Sequence, residues 1–380
     1  MSDDRDTDAP TIGRFDAFQR RHRLLGLPLA VIYKYFDDQG PYLAAIIAYY
    51  AFFAIFPILL IGTSVLGFFL QGDPELRDRL LDTALSQFPI VGDQLGRPEG
   101  LSGSTTAIVI GVVTALYGAI NLGQAVQNAA NVVWAVPRNS RANPFLQRFR
   151  SLIFLAIGGL GILTIAIASS VLANLDSINT SWSDDLNRVF GWVGFALTVV
   201  VFMMIFHLIS GSRATWRRVL PGAVVTALLW QLLQVLGQAY VSGVINRASQ
   251  MNGTFALVLG LMGFIFLAAL MVVIGLEAMV VVARRLYPRA LLTPFTDNVV
   301  LTDADQRAYI SYAKMQRHKG FQTIEARFED TGEQAAVVEP AVETGPAPDA
   351  APETDPVPPV PRPDVPAVDP APAPTTRLPR

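Results

Sequence analysis

The chain has 380 residues, 52% hydrophobic and 16% charged, with a mean hydropathy of +0.39, well to the apolar side of soluble domains at about 25% charged residues. The net charge of −2 provides no global field that would single out nucleic acid as a partner. Cysteine is absent, which excludes disulfides, thiolate nucleophiles and Cys-ligated zinc or iron–sulfur centres.

Charged residues open the chain from Ser2 to Asp8, and long apolar runs begin only at Tyr42, unlike a cleavable signal peptide. Phe15 to Phe36 mixes Arg20, Arg21 and Arg23 with Leu24, Leu25, Leu27 and Ile32, the pattern of an amphipathic interfacial helix. Six apolar runs follow, at about Tyr42–Leu70, Thr105–Val133, Leu152–Leu175, Phe190–Ile209, Val219–Ile245 and Thr254–Ala283. Each is long enough to cross a hydrocarbon core of about 30 Å, which takes roughly 20 helical residues. Pro57 predicts a kink in the first. Between the first two runs, Asp73-Pro74-Glu75 reads as a helix start with Leu76, Leu80, Ala84 and Phe88 on one face, a second interfacial helix. After the sixth, Thr302 or Asp303 caps a short helix reaching about Met315. From Glu329 the composition turns to Pro, Ala, Val, Asp and Glu, which predicts a disordered tail.

These elements define an all-α fold: a polytopic membrane helix bundle with six transmembrane helices, amphipathic interfacial helices and a disordered C-terminal tail. The expected division is 1–41, an N-terminal segment; 42–289, the membrane domain; 290–328, a segment with a short helix; and 329–380, the tail. Arginine placement predicts the orientation. Arg14, Arg20, Arg21, Arg23 and Lys34 precede the first run; Arg138, Arg141, Arg148 and Arg150 link the second and third; Arg213, Arg217 and Arg218 link the fourth and fifth; Arg284, Arg285 and Arg289 follow the sixth. The alternating links are acidic or short, with six acids against three arginines from Asp73 to Glu99. Both termini are therefore expected in the cytoplasm of an inner-membrane protein.

Polar groups within hydrocarbon are expensive and are the first candidates for function. Asn121, Gln124, Gln127, Asn128 and Asn131 recur at helical spacing along one side of the second run, and Gln231, Gln234, Gln238 and Ser242 along the fifth. Two amide stripes can line a head-group cavity or serve as interhelical hydrogen bonds, and both readings stay open. Glu277 is the only acid inside any run. It can carry a proton, meet a cationic substrate group, or pair with an arginine of the flanking links, the pair being preferred. Gly158, Gly159, Gly161, Gly260 and Gly263 permit close helix packing. His22, His207 and His318 fall in separate segments, and neither a phosphate loop nor a metalloprotease motif is present, so no metal, cofactor or catalytic group is expected.

Several blocks between Phe36 and Arg289 resemble the YihY/BrkB family of bacterial inner-membrane proteins. Ala44-Ala45-Ile46-Ile47-Ala48-Tyr49-Tyr50 running into Phe56-Pro57, Asn131-Val132-Val133-Trp134, Trp216-Arg217-Arg218 before Pro221-Gly222-Ala223 and Trp230, Gly253-Thr254-Phe255, and Gly275-Leu276-Glu277 carry the resemblance. The chain departs at Phe264 and Phe266, where many members have Trp-x-Tyr, and at Leu276, where they have alanine. The resemblance implies a role in envelope integrity and, for one branch, movement of lipid precursors across the inner membrane; an older label, ribonuclease BN, has no supporting carboxylate or metal cluster here.

The leading expectation is a non-enzymatic protein that binds or transports an envelope lipid. Asn121, Gln124, Asn128, Asn131, Gln231, Gln234, Gln238 and Glu277 would contact the substrate, and Arg138, Arg148 and Arg150 would attract an anionic head group. The alternative is a membrane scaffold whose proline-rich tail recruits a cytoplasmic partner, with a membrane-bound ribonuclease a distant third. Membrane lipids are the expected partners and nucleic acid is not.

Overall fold

The computed structural model describes residues 14–69, 105–176, 183–243, 250–291 and 299–328. Among them the chain forms helices and no strand: α1 Arg14–Arg21, α2 Arg23–Asp37, α3 Gly40–Phe69, α4 Thr105–Val133, α5 Pro144–Asp176, α6 Ser183–Ser210, α7 Trp216–Gly243, α8 Gln250–Arg284 and α9 Asp303–Met315. Short 3-10 turns at Arg138–Ser140 and Gly211–Arg213 close the links before α5 and α7. Over its described residues, each of the six apolar runs falls within one helix, α3 to α8, of 28 to 35 residues. At 1.5 Å per residue these are roughly 42 to 52 Å long.

Four of the six are, over their described residues, long and apolar enough to cross a membrane: Pro144–Ile162, Gly191–Arg213, Trp216–Tyr240 and Val258–Arg284. The described apolar part of α3, Gly40–Ala54, is shorter. α3 continues as helix through Pro57. The helix expected near Asp73 to Phe88 and the tail from Glu329 lie outside the described residues.

The last long helix is the centre of the bundle. α8 packs against α7, α3, α2 and α4, while α4 lies beside α3, and α5 joins α4 to α6. Val273, Leu276, Met279, Val280 and Val281 are fully buried along α8, as expected of a helix that is apolar all round and surrounded by others. α7 and α8 approach closely at two glycines. A Cβ on Gly275 would lie 1.8 Å from Thr226 Oγ1, and one on Gly222 would lie 2.4 Å from the Gly275 carbonyl oxygen. Of the glycines that the sequence marks for close packing, Gly161 abuts Val201 and Gly260 abuts Tyr240, but a Cβ on Gly158, Gly159 or Gly263 would meet no described atom within 4 Å.

α2 is more deeply set than an interfacial helix lying on a surface. Ala30, Val31, Tyr33, Lys34 and Tyr35 are buried, with the helix seated on α8, while Leu25, Ile32 and Phe36 remain exposed on its other side. α9 starts as its sequence predicts. Thr302 is the N-cap: its Oγ1 accepts from the Asp305 N–H at 3.2 Å, and Asp305 Oδ2 accepts from the Thr302 N–H at 2.9 Å. This reciprocal cap satisfies two amides that the first turn would otherwise leave unpaired.

Candidate functional site

Two groups of charged side chains gather at the arginine-rich end of the bundle. The first is built on α2 and α8. Lys34 and Asp38 are one helical turn apart, which brings the ammonium onto the Asp38 carboxylate. The same Nζ lies 3.2 Å from Glu277 Oε2, and all three side chains are almost wholly buried. Although Nζ is within ion-pair distance, neither Glu277 oxygen receives an aligned N–H from the protein. The Tyr312 ring of α9 covers the ammonium at 5.4 Å.

Burial alone would favour loss of the Lys34 proton, but the Glu277 and Asp38 carboxyl groups outweigh it and raise its pKa. Lys34 is therefore an ammonium. For Asp38, burial is the largest influence and holds its carboxyl above the usual range despite Lys34, with neighbouring Asp37 adding to the rise. The Tyr312 phenol is likewise pushed up, by burial first and then by Asp38 and Asp37 against the opposing Lys34 charge.

Asp37 extends this cluster. It accepts from Arg289 at 3.1 Å and lies 3.5 Å from the Tyr312 hydroxyl. Arg289 is fully buried, paired through Nε with Asp305, and stacked 5.4 Å from the Tyr309 ring centroid. Burial opposes its charge, but Asp305 and Asp37 more than compensate and hold its pKa up. Gln19 of α1 donates to both the Arg289 carbonyl and Asp16. The segment after α8 is thus fastened to α1, α2 and α9 at once.

The second group consists of cations without acids. Arg150 of α5 and Arg213 of the link before α7 are close enough to repel one another, and Arg213 also repels Arg284. Arg284 is engaged, donating to the Trp134 carbonyl at 2.6 Å and lying 5.5 Å from the Trp134 ring centroid. Among the described residues, Arg150 and Arg213 have no acidic partner. Arg141 is held below its ordinary value by burial and by Arg138 beside it, and it donates to Asn128 Oδ1 at 3.2 Å. Arg148 is exposed, between exposed Phe145 and Phe149.

The amides do not form one lining. Gln127 is spent between helices: its Nε2 donates toward Ser151 Oγ at 3.0 Å and the Gln147 carbonyl at 2.9 Å, where Gly123 lets α5 approach. Asn121 donates to the Tyr117 carbonyl of its own helix. Gln124 is half-buried and Asn131 buried. On α7, Gln231 and Gln238 are exposed among exposed Leu228, Leu232, Val235 and Leu236, with Gln234 half-buried beside them. α4 has α3 and α5 as its main neighbours, whereas α7 lies against α6 and α8, so the two stripes belong to different parts of the bundle. Ser242 has no described side chain.

Lys34, Asp37, Asp38, Arg213, Arg289 and Asp305 are the members that sequence reasoning left out. Lys34 reads as one more flanking cation, and only its spacing from Asp38, on the same face as Ala30 and Val31, hinted at burial. The cation beside Glu277 is Lys34 and not an arginine of the links. Among the described residues no group of three or more histidine or acidic side chains is placed to hold a metal ion.

The bundle of long apolar helices, with few charges inside its apolar runs, defines a multi-pass membrane protein. Residues 31–297 match the family model described as Virulence factor BrkB, and the chain belongs to this BrkB/YihY family. It is similar to Inner membrane protein YhjD of Escherichia coli (strain K12), 24% identical over 62% of this chain and 74% of the relative. It is also similar to UPF0761 membrane proteins of Stenotrophomonas maltophilia (strain R551-3), 25% identical over 67% of this chain and 60% of the relative, and of Pseudomonas aeruginosa (strain LESB58), 23% identical over 64% and 59%. The match spans about three fifths of these two longer relatives. No solved structure matches the chain.

Proposed function

We propose that this membrane protein binds an anionic envelope lipid at its arginine-rich end, on the cytoplasmic side, and carries the lipid or a lipid precursor along the outer face of α7. The observation that carries this reading is the Arg150–Arg213 pair, two neighbouring guanidiniums with no acid between them among the described residues. Like charges within electrostatic range cost free energy that an anionic phosphate beside them would recover, and guanidinium offers it bidentate hydrogen bonds. Exposed Phe145, Phe149 and Trp216 flank the same end, as aromatic side chains do at the head-group level.

From this rim α7 rises with Gln231 and Gln238, about 22 and 33 Å from its start at 1.5 Å per residue. An amide on a lipid-facing surface stays unsatisfied unless a polar group meets it, and a head group in transit provides one. The reading is non-enzymatic, since it uses the side chains to bind and conduct and asks none of them to react.

The test is mass spectrometry of lipids retained by the purified full-length protein. We expect one anionic class enriched over bulk membrane, lost in the Arg150→Gln/Arg213→Gln variant and reduced in Gln231→Leu/Gln238→Leu. Retained lipid that matches the bulk in all three proteins overturns the proposal.

A further inference from the structure

We infer that Asp38 and Glu277 form a proton-binding site, with one proton held between their two carboxyl groups and the Lys34 ammonium set against the pair. This goes beyond the lipid reading and does not depend on it.

The argument begins with a count of charges. Lys34, Asp38 and Glu277 are buried together, with side-chain exposures of 1%, 2% and 0%, so two acids share a single cation. Among the described residues no second cation forms an ion pair with them. Arg284 is within electrostatic range of Asp38 but directs its guanidinium to the Trp134 carbonyl and ring, and Arg289 is paired with Asp305 and Asp37. Other titratable groups facing the site are Tyr35 and Asp37 at the end of α2 and Tyr312 of α9. α3 and α4 contain no charged residue, and α7 has only Arg217 and Arg218, both exposed at its start. Fully ionised, the trio would carry a net negative charge beside the fully buried Val273, Leu276, Val280 and Val281, where burial makes an unpaired charge expensive.

Geometry resolves the imbalance. Asp38 Oδ2 and Glu277 Oε2 both lie within ion-pair distance of the one Lys34 Nζ, so the two carboxyl groups are gathered on a single ammonium. Two carboxylates offer only lone pairs to each other, and a proton on one of them turns that repulsion into a donor facing an acceptor. Both Glu277 oxygens are buried without an aligned donor, so this carboxyl has no other hydrogen bond to satisfy it as an anion. Lys34 is directed instead at Asp38, leaving the Glu277 side of the pair as the place for the proton. The proton is thereby shared across the α2–α8 contact. Its loss would place repulsion between the helix that precedes the first long run and the central helix of the bundle, under the Tyr312 ring of α9.

Infrared spectroscopy of the full-length protein in lipid nanodiscs at neutral pH tests the site. We expect a protonated-carboxyl C=O stretch that shifts in D2O and is abolished by either Glu277→Gln or Asp38→Asn, because the remaining acid then pairs with Lys34 as a carboxylate. A wild-type spectrum without that band at neutral pH overturns the inference, as does a band that persists in either variant. The wild-type reading needs no substitution, so it decides the question even where a variant fails to fold.

Discussion

Lys34 Nζ lies 3.2 Å from Glu277 Oε2, and this contact joins the helix before the first long run to the last one across some 240 residues of sequence. Removing the cation alone leaves the buried acid pair without its counter-ion. Lys34→Met, close in length and apolar, should destabilise the protein by about 3–5 kcal/mol, the range for breaking one side of a buried pair. Adding Glu277→Gln should regain part of that loss. Thermal unfolding of the purified protein in detergent measures both, and a double variant no more stable than Lys34→Met would show that the cost lies in packing rather than charge.

The α7–α8 crossing depends on two glycines. A methyl group on Gly275 would collide with Thr226 Oγ1 at 1.8 Å, and the next contacts, Gly222 O and Thr226 Cβ, stand at 3.1 Å. Gly275→Ala should therefore cost about 1–3 kcal/mol through overpacking. Thr226→Ala in the same chain removes the colliding oxygen and should restore much of the stability, which the same thermal measurement reads.

Asp16 sets a pH dependence at the start of the described chain. Burial tends to raise its carboxyl, but hydrogen bonds from Arg20 and Gln19, with the Leu291 amide, outweigh it and hold the group below its ordinary 3.8. The folded value thus lies under the unfolded one, so the stabilisation is fully present above about pH 3.8 and is lost as pH falls through the lower folded value. A spin label at exposed Ala17 should report an immobile α1 at neutral pH and release in acid. In Asp16→Asn the label should be looser throughout and show little change over the same range.

Apolar periodicity and caps made the helices legible, because both are local. The six long helices and the Thr302 cap of α9 fall where run length and capping chemistry place them. The charged clusters were less legible because they are tertiary. Glu277 stood out by its depth, but its partner comes from a segment whose cations all resemble ordinary membrane flanks, and nothing local distinguishes Lys34 from Arg20 or Arg21. The amides show the same limit. Spacing puts Gln231, Gln234 and Gln238 on one side of α7 without saying whether that side turns inward, and Gln231 and Gln238 face out. Gln127, indistinguishable in sequence from Gln124, is the one taken up by a neighbouring helix.

That difference between two glutamines on one helix can be measured. Gln127 Nε2 has Ser151 Oγ at 3.0 Å and the carbonyls of Gln147 and Gly123 at 2.9 and 3.2 Å, so its amide ties α4 to α5. Interhelical hydrogen bonds in membranes are worth about 0.6 kcal/mol each, so Gln127→Leu should cost on the order of 1 kcal/mol for the two protons it withdraws. Gln124→Leu, at a half-buried position, should cost less. Gly123→Ala should cost more than either, since its Cβ would stand 2.5 Å from the Ser151 Cβ and force the two helices apart. Thermal midpoints in that order place the α4–α5 contact at Gly123, Gln127 and Ser151; equal costs for the two glutamines would mean that the hydrogen bonds across it contribute nothing measurable.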